Sequence, residues 1–421
     1  MRTAITTSRQ SWFHGSLIGL CSLLLLVSLV AAYPQAMALM AGRRLELTDA
    51  TVGLRLLREA TLAAILLLVA LRVLTSRGRA RVLPAITWTA VVVGYAAFVF
   101  ARALELGLDV RVPLSGLRVF QYAPLAVVAY LVALRWRARM FRTLAVTLRV
   151  LLLVWLPLAL YQVLNAPPVQ GRTMFGSRAF GTFNEANVFG VTVATIALWL
   201  VMTHMLAGRR GWRLKELFWL VACLVLATLS GSRTALALTM LAVAFPLVAL
   251  FRRRFDRFVI AAVLPLVLFA TLIAGSTTAI SGRRTNLFAD ARLERWQEVL
   301  GAVQSPGDLL FGWGLGLGSN TLSNVFGYYR FEGQFIADSH YVFVLGSFGL
   351  VGLALFLLAL VPVALKGPQP VSLMFVVFVL LLCAPLLPFE LFPVAPLLFL
   401  MWGGLLGIAR HDRSAPVEAP G

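Results

Sequence analysis

The chain is short of most of what a water-soluble enzyme uses for chemistry. Of its 421 residues only 13% are charged, 17 are Asp or Glu, and four are His. Its three cysteines, Cys21, Cys223 and Cys383, each sit in a separate apolar run with no second thiol at ligand spacing. That excludes a disulfide framework and a thiolate metal site. No DxD pair, HExxH motif or histidine cluster offers metal-ligand spacing either. Stretches such as LLLLVSLVAA and LMFVVFVLLLC lack the apolar–polar alternation of a membrane barrel strand. What is abundant is apolar bulk: 60% of residues are hydrophobic and mean hydropathy is +0.88. An ordinary soluble domain has roughly 45–50% apolar residues.

A membrane-crossing helix needs about 20 consecutive apolar residues. Runs of that kind predict spans near 16–38, 52–74, 82–104, 118–134, 143–164, 182–206, 215–231, 234–251, 258–275, 340–365, 371–388 and 391–409. Helices satisfy their own backbone in lipid, so the chain reads as an all-α polytopic membrane protein with about 12 transmembrane helices. Residues 1–275 hold the first nine helices in this reading, 276–339 form one large loop, 340–410 hold the last three, and 411–421 are a tail. AMA near the end of the first run resembles a signal cleavage site, but the run is long against an h-region of about 7–15 residues. It is therefore read as a span.

Charge sets the orientation. The 37 Lys and Arg residues, all Arg except Lys215 and Lys366, leave a formal charge of +20. After a tail carrying Arg2 and Arg9, every second connection has a basic cluster: Arg77, Arg79 and Arg81; Arg135, Arg137, Arg139 and Arg142; Arg209, Arg210, Arg213 and Lys215; Arg252, Arg253, Arg254 and Arg257. Lys366, Arg410 and Arg413 fall on the same side. Cytoplasmic loops attract such an excess, which predicts cytoplasmic termini. Topology thus accounts for the basic excess, and no nucleic-acid motif calls for a nucleic-acid partner.

The opposite connections lie near 39–51, 105–117, 165–181, 232–233, 276–339 and 389–390, and the fifth, about 64 residues long, dwarfs the others. Within it ADARLERWQEVLGAVQ sets Leu293, Trp296, Val299, Leu300 and Val303 against Arg292, Glu294, Arg295 and Glu298. This pattern predicts an amphipathic helix along the membrane surface. After the turn signal SPGD comes FGWGLGLGSN, whose Gly312, Gly314, Gly316 and Gly318 suit close backbone approach or a sharply turning path. A phosphate-cradling glycine loop would need a strand before it and a helix after it. Ser319 and Asn320 are candidates for sugar hydroxyls.

Three histidines, His14, His204 and His411, fall at the cytoplasmic ends of spans. Only His340, in ADSHYVFVLG, faces the other side, where Ser339 or Asp338 can cap the helix that it begins. Its role is either interfacial and structural or catalytic. Arg233 lies in the very short connection LSGSRTALA, and Arg172 and Arg178 precede GTFNEANVFG, where Asn184, Glu185 and Asn187 open an apolar span. Charge at membrane depth is costly and marks functional candidates. Snorkelling to the headgroups or pairing with Glu185 is the alternative. Several guanidiniums on one face suit a phosphate or pyrophosphate, whose oxygens match the planar fork. Arg292 and Arg295 either add a second clamp or form a lattice with Glu294 and Glu298. Such arginines, rather than a metal ion, would then neutralise phosphate charge.

In this order, RAFGTFNEANVFG, SGSRTALA, LERW, GWGLGLGS and DSH, the segment of roughly residues 170–365 resembles the O-antigen ligase and polymerase superfamily of bacterial envelopes. The likeness is closest to the O-antigen ligases. It implies a GT-C-like glycosyltransferase of the bacterial inner membrane that needs no metal or cofactor. Such an enzyme moves a polysaccharide from undecaprenyl pyrophosphate to lipid A–core oligosaccharide at the periplasmic face. The resemblance matches His340 to the family's essential histidine, and Arg233 and one of Arg292 or Arg295 to its essential arginines, with Arg295 carried as catalytic. Arg172, Arg178, Arg292, Asn187 and Ser319 are then the substrate-binding candidates. An imidazole with an ordinary pKa of about 6.5 can take the acceptor's proton near neutral pH. The absence of a paired-carboxylate pattern points to inversion at the anomeric carbon. An O-antigen polymerase and a protein O-oligosaccharyltransferase use the same donor and stay open. A transporter would place ionisable or helix-breaking residues near the midplane, and Pro157, Pro246, Pro265, Pro385 and Pro388 do interrupt spans.

Overall fold

A computed structural model of the chain describes residues 2–31, 33–42, 49–75, 79–167, 172–173, 176–183, 185–208, 214–250, 296–297, 301, 305–316, 318–319 and 339–414. The helices are α1 (Arg2–Ala31), α2 (Tyr33–Met40), α3 (Asp49–Thr75), α4 (Arg79–Glu105), α5 (Arg111–Leu117), α6 (Pro124–Trp136), α7 (Ala138–Asn165), α8 (Ala186–Leu206), α9 (Leu214–Leu229), α10 (Arg233–Leu250), α11 (Pro306–Phe311), α12 (His340–Lys366), α13 (Val371–Cys383) and α14 (Val394–Ser414). Between α7 and α8, β1 (Arg172–Thr173) pairs antiparallel with β2 (Gly176–Ser177), with Arg172 opposite Ser177. Helices occupy eleven of the twelve predicted spans, and the remaining one, near 258–275, lies outside the described residues. Among the described residues, five helical segments are long and apolar enough, by length and composition, to cross a membrane: Arg111–Trp136, Ala138–Asn165, Ala186–Leu206, His340–Lys366 and Val394–Asp412.

Burial explains the layering. Helix α8 is apolar on every side, as a fully enclosed helix must be, and 89% of its spanning stretch is buried. It packs on α7, α9, α10, α13 and α14. The broadest helix pair is α6 with α14, which approach through small residues: a Cβ on Gly403 would stand 1.8 Å from the Ala126 carbonyl oxygen. Close backbone approach of this kind is how helices associate where lipid removes the hydrophobic drive. The periphery carries large exposed apolar side chains, among them Leu153, Leu164 and Leu365.

The two ends of the bundle differ chemically. One end gathers the basic connections: Arg137 pairs with Asp412, the His14 and Trp136 rings stack at 6.3 Å, and His204 Nδ1 lies 3.0 Å from Glu216. The other end gathers the alternate connections through Arg102–Asp308 at 2.8 Å, Ser115–Ser319 at 3.1 Å and Arg178 to the Ser230 carbonyl at 2.8 Å. These are called the basic end and the site end below.

The sequence predicts one uninterrupted span over 340–365, and the structure departs from it. At Gly349, with φ 65° and ψ −168°, the helix breaks. The rings of His340 and Phe356 then lie 5.1 Å apart, although 16 residues of straight helix would separate them by about 24 Å. The limb His340–Phe348 therefore folds back along the limb that starts at Leu350. His340 consequently sits about 12 Å nearer the basic end than the bend does, sunk into the bundle.

Candidate functional site

His340 is held by rings rather than by polar partners. Its ring centroid lies 4.9 Å from Phe389, 5.1 Å from Phe356 and 6.0 Å from Phe343. Its backbone N–H donates to the Leu386 carbonyl at 2.9 Å, tying the limb to the α13–α14 connection. Ser339 occupies the N-cap position in extended conformation, but its side chain makes no capping bond. His340 is 2% exposed, and among the described residues its Nδ1 has no hydrogen-bond partner. A buried, unpaired ring nitrogen is costly unless something else meets it.

A second cluster forms around the turn between α9 and α10. Arg178 donates through Nε to the Ser230 carbonyl at 2.8 Å and through Nη2 to Asn187 Oδ1 at 2.7 Å. The Ala179 N–H donates to the Leu229 carbonyl at 2.9 Å, fastening the loop to the same turn. Desolvation pulls the Arg178 guanidinium below its ordinary pKa range. Arg233 is the first residue of α10 and is exposed, and Ser232 Oγ accepts the Ala235 N–H at 3.4 Å as that helix starts. Behind the loop stands Gln162, buried in α7. Its Nε2 donates to the Gly181 carbonyl at 2.6 Å, while its Oε1 accepts the N–H groups of Phe180 at 3.0 Å and Gly181 at 2.8 Å. Arg172 lies in β1, six residues before Arg178.

The third cluster is the glycine-rich segment, packed as the sequence predicts. Ser305 caps α11 by accepting the Asp308 N–H at 3.1 Å. Arg102, on α4, grips both Asp308 at 2.8 Å and the Gly312 carbonyl at 3.0 Å. The Trp313 N–H donates to the Gly346 carbonyl at 3.0 Å, joining this segment to the His340 limb. Gly316 has φ +90°, and a Cβ there would stand 2.0 Å from the Val112 carbonyl oxygen. Ser319, a candidate for sugar hydroxyls, is fully buried with its hydroxyl 3.1 Å from that of Ser115.

The structure thus brings Arg178, Asn187 and the Arg233 turn together and holds His340 and Ser319 at the same end. Helix α13 packs on both α10 and α12, bridging the first two clusters. Trp296, Gln297 and Gly301 are helical, whereas Arg292, Arg295, Asn184, Asn320, Asp338 and the rest of the amphipathic stretch lie outside the described residues. Sequence reasoning missed Arg102, whose partner is 206 residues away, and Gln162. The available signal for Gln162 was a polar side chain inside an apolar span.

Among protein families, O-antigen ligase matches residues 217–357, from α9 into α12. No curated protein matches the chain. The matched segment contains Arg233, Arg292, Arg295, Ser319 and His340, while Arg172, Arg178 and Asn187 precede it. The likeness to the O-antigen ligase family is thus carried by residues 217–357, a third of the chain.

Proposed function

We propose that the protein is an O-antigen ligase, transferring a polysaccharide from undecaprenyl pyrophosphate to lipid A–core oligosaccharide at the periplasmic face of the bacterial inner membrane. The observation that carries this reading is His340: a buried imidazole, clasped by three phenylalanine rings, with Nδ1 unpartnered among the described residues. It lies at the end of the bundle that also carries Arg178 and Arg233.

In this reading the acceptor hydroxyl oxygen attacks the anomeric carbon as its proton passes to the His340 imidazole. The bond from that carbon to the pyrophosphate oxygen breaks, and its electron pair leaves on the pyrophosphate. Arg178, Arg233 and one of Arg292 or Arg295 hold that charge, with Asn187 keeping the Arg178 fork aimed. One displacement inverts the anomeric configuration. A positioned base contributes about 10²–10⁴-fold, and each pre-aimed charge-stabilising group about 3–4 kcal/mol.

The test is a His340→Ala variant expressed at wild-type level in a deletion strain. Lipid-linked polymer should accumulate, unattached to core, with capping of lipopolysaccharide lowered at least 100-fold. Full capping would overturn the role of His340, and accumulation of single repeat units would make the enzyme a polymerase. Arg233→Lys keeps the charge and loses the fork, so undiminished donor use would remove Arg233 from the pyrophosphate site.

A further inference from the structure

A cleft opens at the basic end, away from the ring cluster around His340. It has a volume of about 160 Å³ and lies where α7, α8 and α9 converge, lined among others by Arg142, Arg149, His204, Lys215, Glu216 and Trp219. A single water needs about 10–15 Å³ of such space, so the cleft has room for a phosphate group with its waters. Three fixed cations face one carboxylate, Glu216, which is buried with His204 Nδ1 at 3.0 Å. The lining therefore carries a net positive charge. Arg142 and Arg149 are seven residues apart, two helical turns on one face, so they enter the cleft from points about 10 Å apart along α7.

The flanks decide what kind of phosphate fits. On α7 the residues around Arg149 present Val146, Val150 and Leu153 outward, 57%, 44% and 60% exposed. On α9, Leu217, Phe218 and Val221 are likewise exposed beside the cleft. A soluble anion has no use for such surfaces, but a lipid does. Basic pockets between membrane helices are suited to anionic headgroups. We propose that the cleft between α7, α8 and α9 is a binding site for the phosphate of an anionic membrane lipid, held by Arg142, Arg149 and Lys215, with acyl chains along the exposed faces of α7 and α9.

The full-length protein, purified in micelles containing phosphatidylglycerol and phosphatidylcholine in equal amounts, tests this by native mass spectrometry. Phosphatidylglycerol should be retained over phosphatidylcholine, and Arg142→Gln and Arg149→Gln should each reduce that retention about fivefold, the equivalent of about 1 kcal/mol per basic residue. Arg149→Lys should retain most of it. Arg142 is exposed, so its variant leaves packing intact and decides the matter even if Arg149→Gln does not fold. Equal retention of the two lipids, or unchanged retention in Arg142→Gln, would overturn the proposal. So would stabilisation by inorganic phosphate, without lipid, equal to that by phosphatidylglycerol, because the site would then be one for a free anion. None of these measurements reads glycan transfer, so the outcome is independent of the proposed function.

Discussion

Alanine at Gly349 probes the bend that seats His340. With φ at +65°, a Cβ there would stand 2.3 Å from the carbonyl carbon and oxygen of Leu310 and 2.5 Å from the Phe311 nitrogen, all of them backbone atoms. At φ +65° and ψ −168°, a backbone region all but confined to glycine, a residue with a side chain loses about 1–3 kcal/mol. The overlap must be relieved by moving α11 or opening the bend, for about 1–3 kcal/mol more. Gly107 is the internal control, since it has φ +74° and nothing within 4 Å of a Cβ. Gly107→Ala should therefore lose only the cost of its own positive φ, about 1–2 kcal/mol. Unfolding in mixed micelles titrated with dodecyl sulfate, followed by tryptophan fluorescence, gives both losses. Gly349→Ala should exceed Gly107→Ala by about 1–3 kcal/mol. It should also lower polymer capping, because a displacement of about 1 Å at a reacting group can cost 10²-fold. Equal stability of the two variants would refute the close packing at the bend. A destabilised Gly349→Ala with full capping would show that the bend does not set the position of the imidazole.

Gln162→Leu strands the N–H groups of Phe180 and Gly181 and the Gly181 carbonyl, so the same titration should show a loss of about 3 kcal/mol or more. Gln162→Glu, which keeps the acceptor, should fall between it and wild type. The Asp109 carboxyl is held down to about 2 by the side chain and backbone N–H of Arg111. A depressed carboxylate contributes fully above its ordinary value of about 3.9, and the contribution disappears as pH falls through the native value. The stability difference between wild type and Asp109→Asn should thus be constant above about pH 5 and vanish near pH 2, and a difference that grows on acidification would contradict the pairing. Because the described cysteines Cys21, Cys223 and Cys383 are buried, an impermeant maleimide reads new thiols alone. In spheroplasts it should label Leu309→Cys but not Arg139→Cys until lysis, and the reverse pattern would turn the protein over in the membrane.

Most of the bundle was legible because its determinants are local. Apolar runs locate helices, and the alternation of arginine clusters assigns each connection to an end, as the gathering of residues 137, 204 and 412 at one end and 102, 178 and 308 at the other reflects. The bend was not legible. Gly349 stands in SFGLVG, where a glycine looks like any other small residue of a membrane helix, and only the packing of Leu310 against it fixes the positive φ. The prediction of a helix starting near 118 missed α5, whose Val112 carbonyl and Gly116 are shaped by contact with Gly316. Of the site, His340, Arg178, Asn187 and Arg233 were visible as polar residues opening apolar segments. Arg102 was not, because a lone arginine near a span end gives no hint of a carboxylate two hundred positions later. Ser319 was visible as a hydroxyl beside glycines, but its pairing with Ser115 depends on tertiary approach.

The clamp of Arg102 on Asp308 and Gly312, and the meeting of Ser115 with Ser319, span 206, 210 and 204 residues of chain. At about 5–20 residues per second, a ribosome needs roughly 10–40 s between making the first partner and the second. During that interval α4 and α5 are already synthesised while the groups that will occupy them do not exist. A nascent chain stalled before residue 305 would hold every helix through α10 with those two seats empty, and would be the natural substrate for a membrane chaperone or quality-control protease.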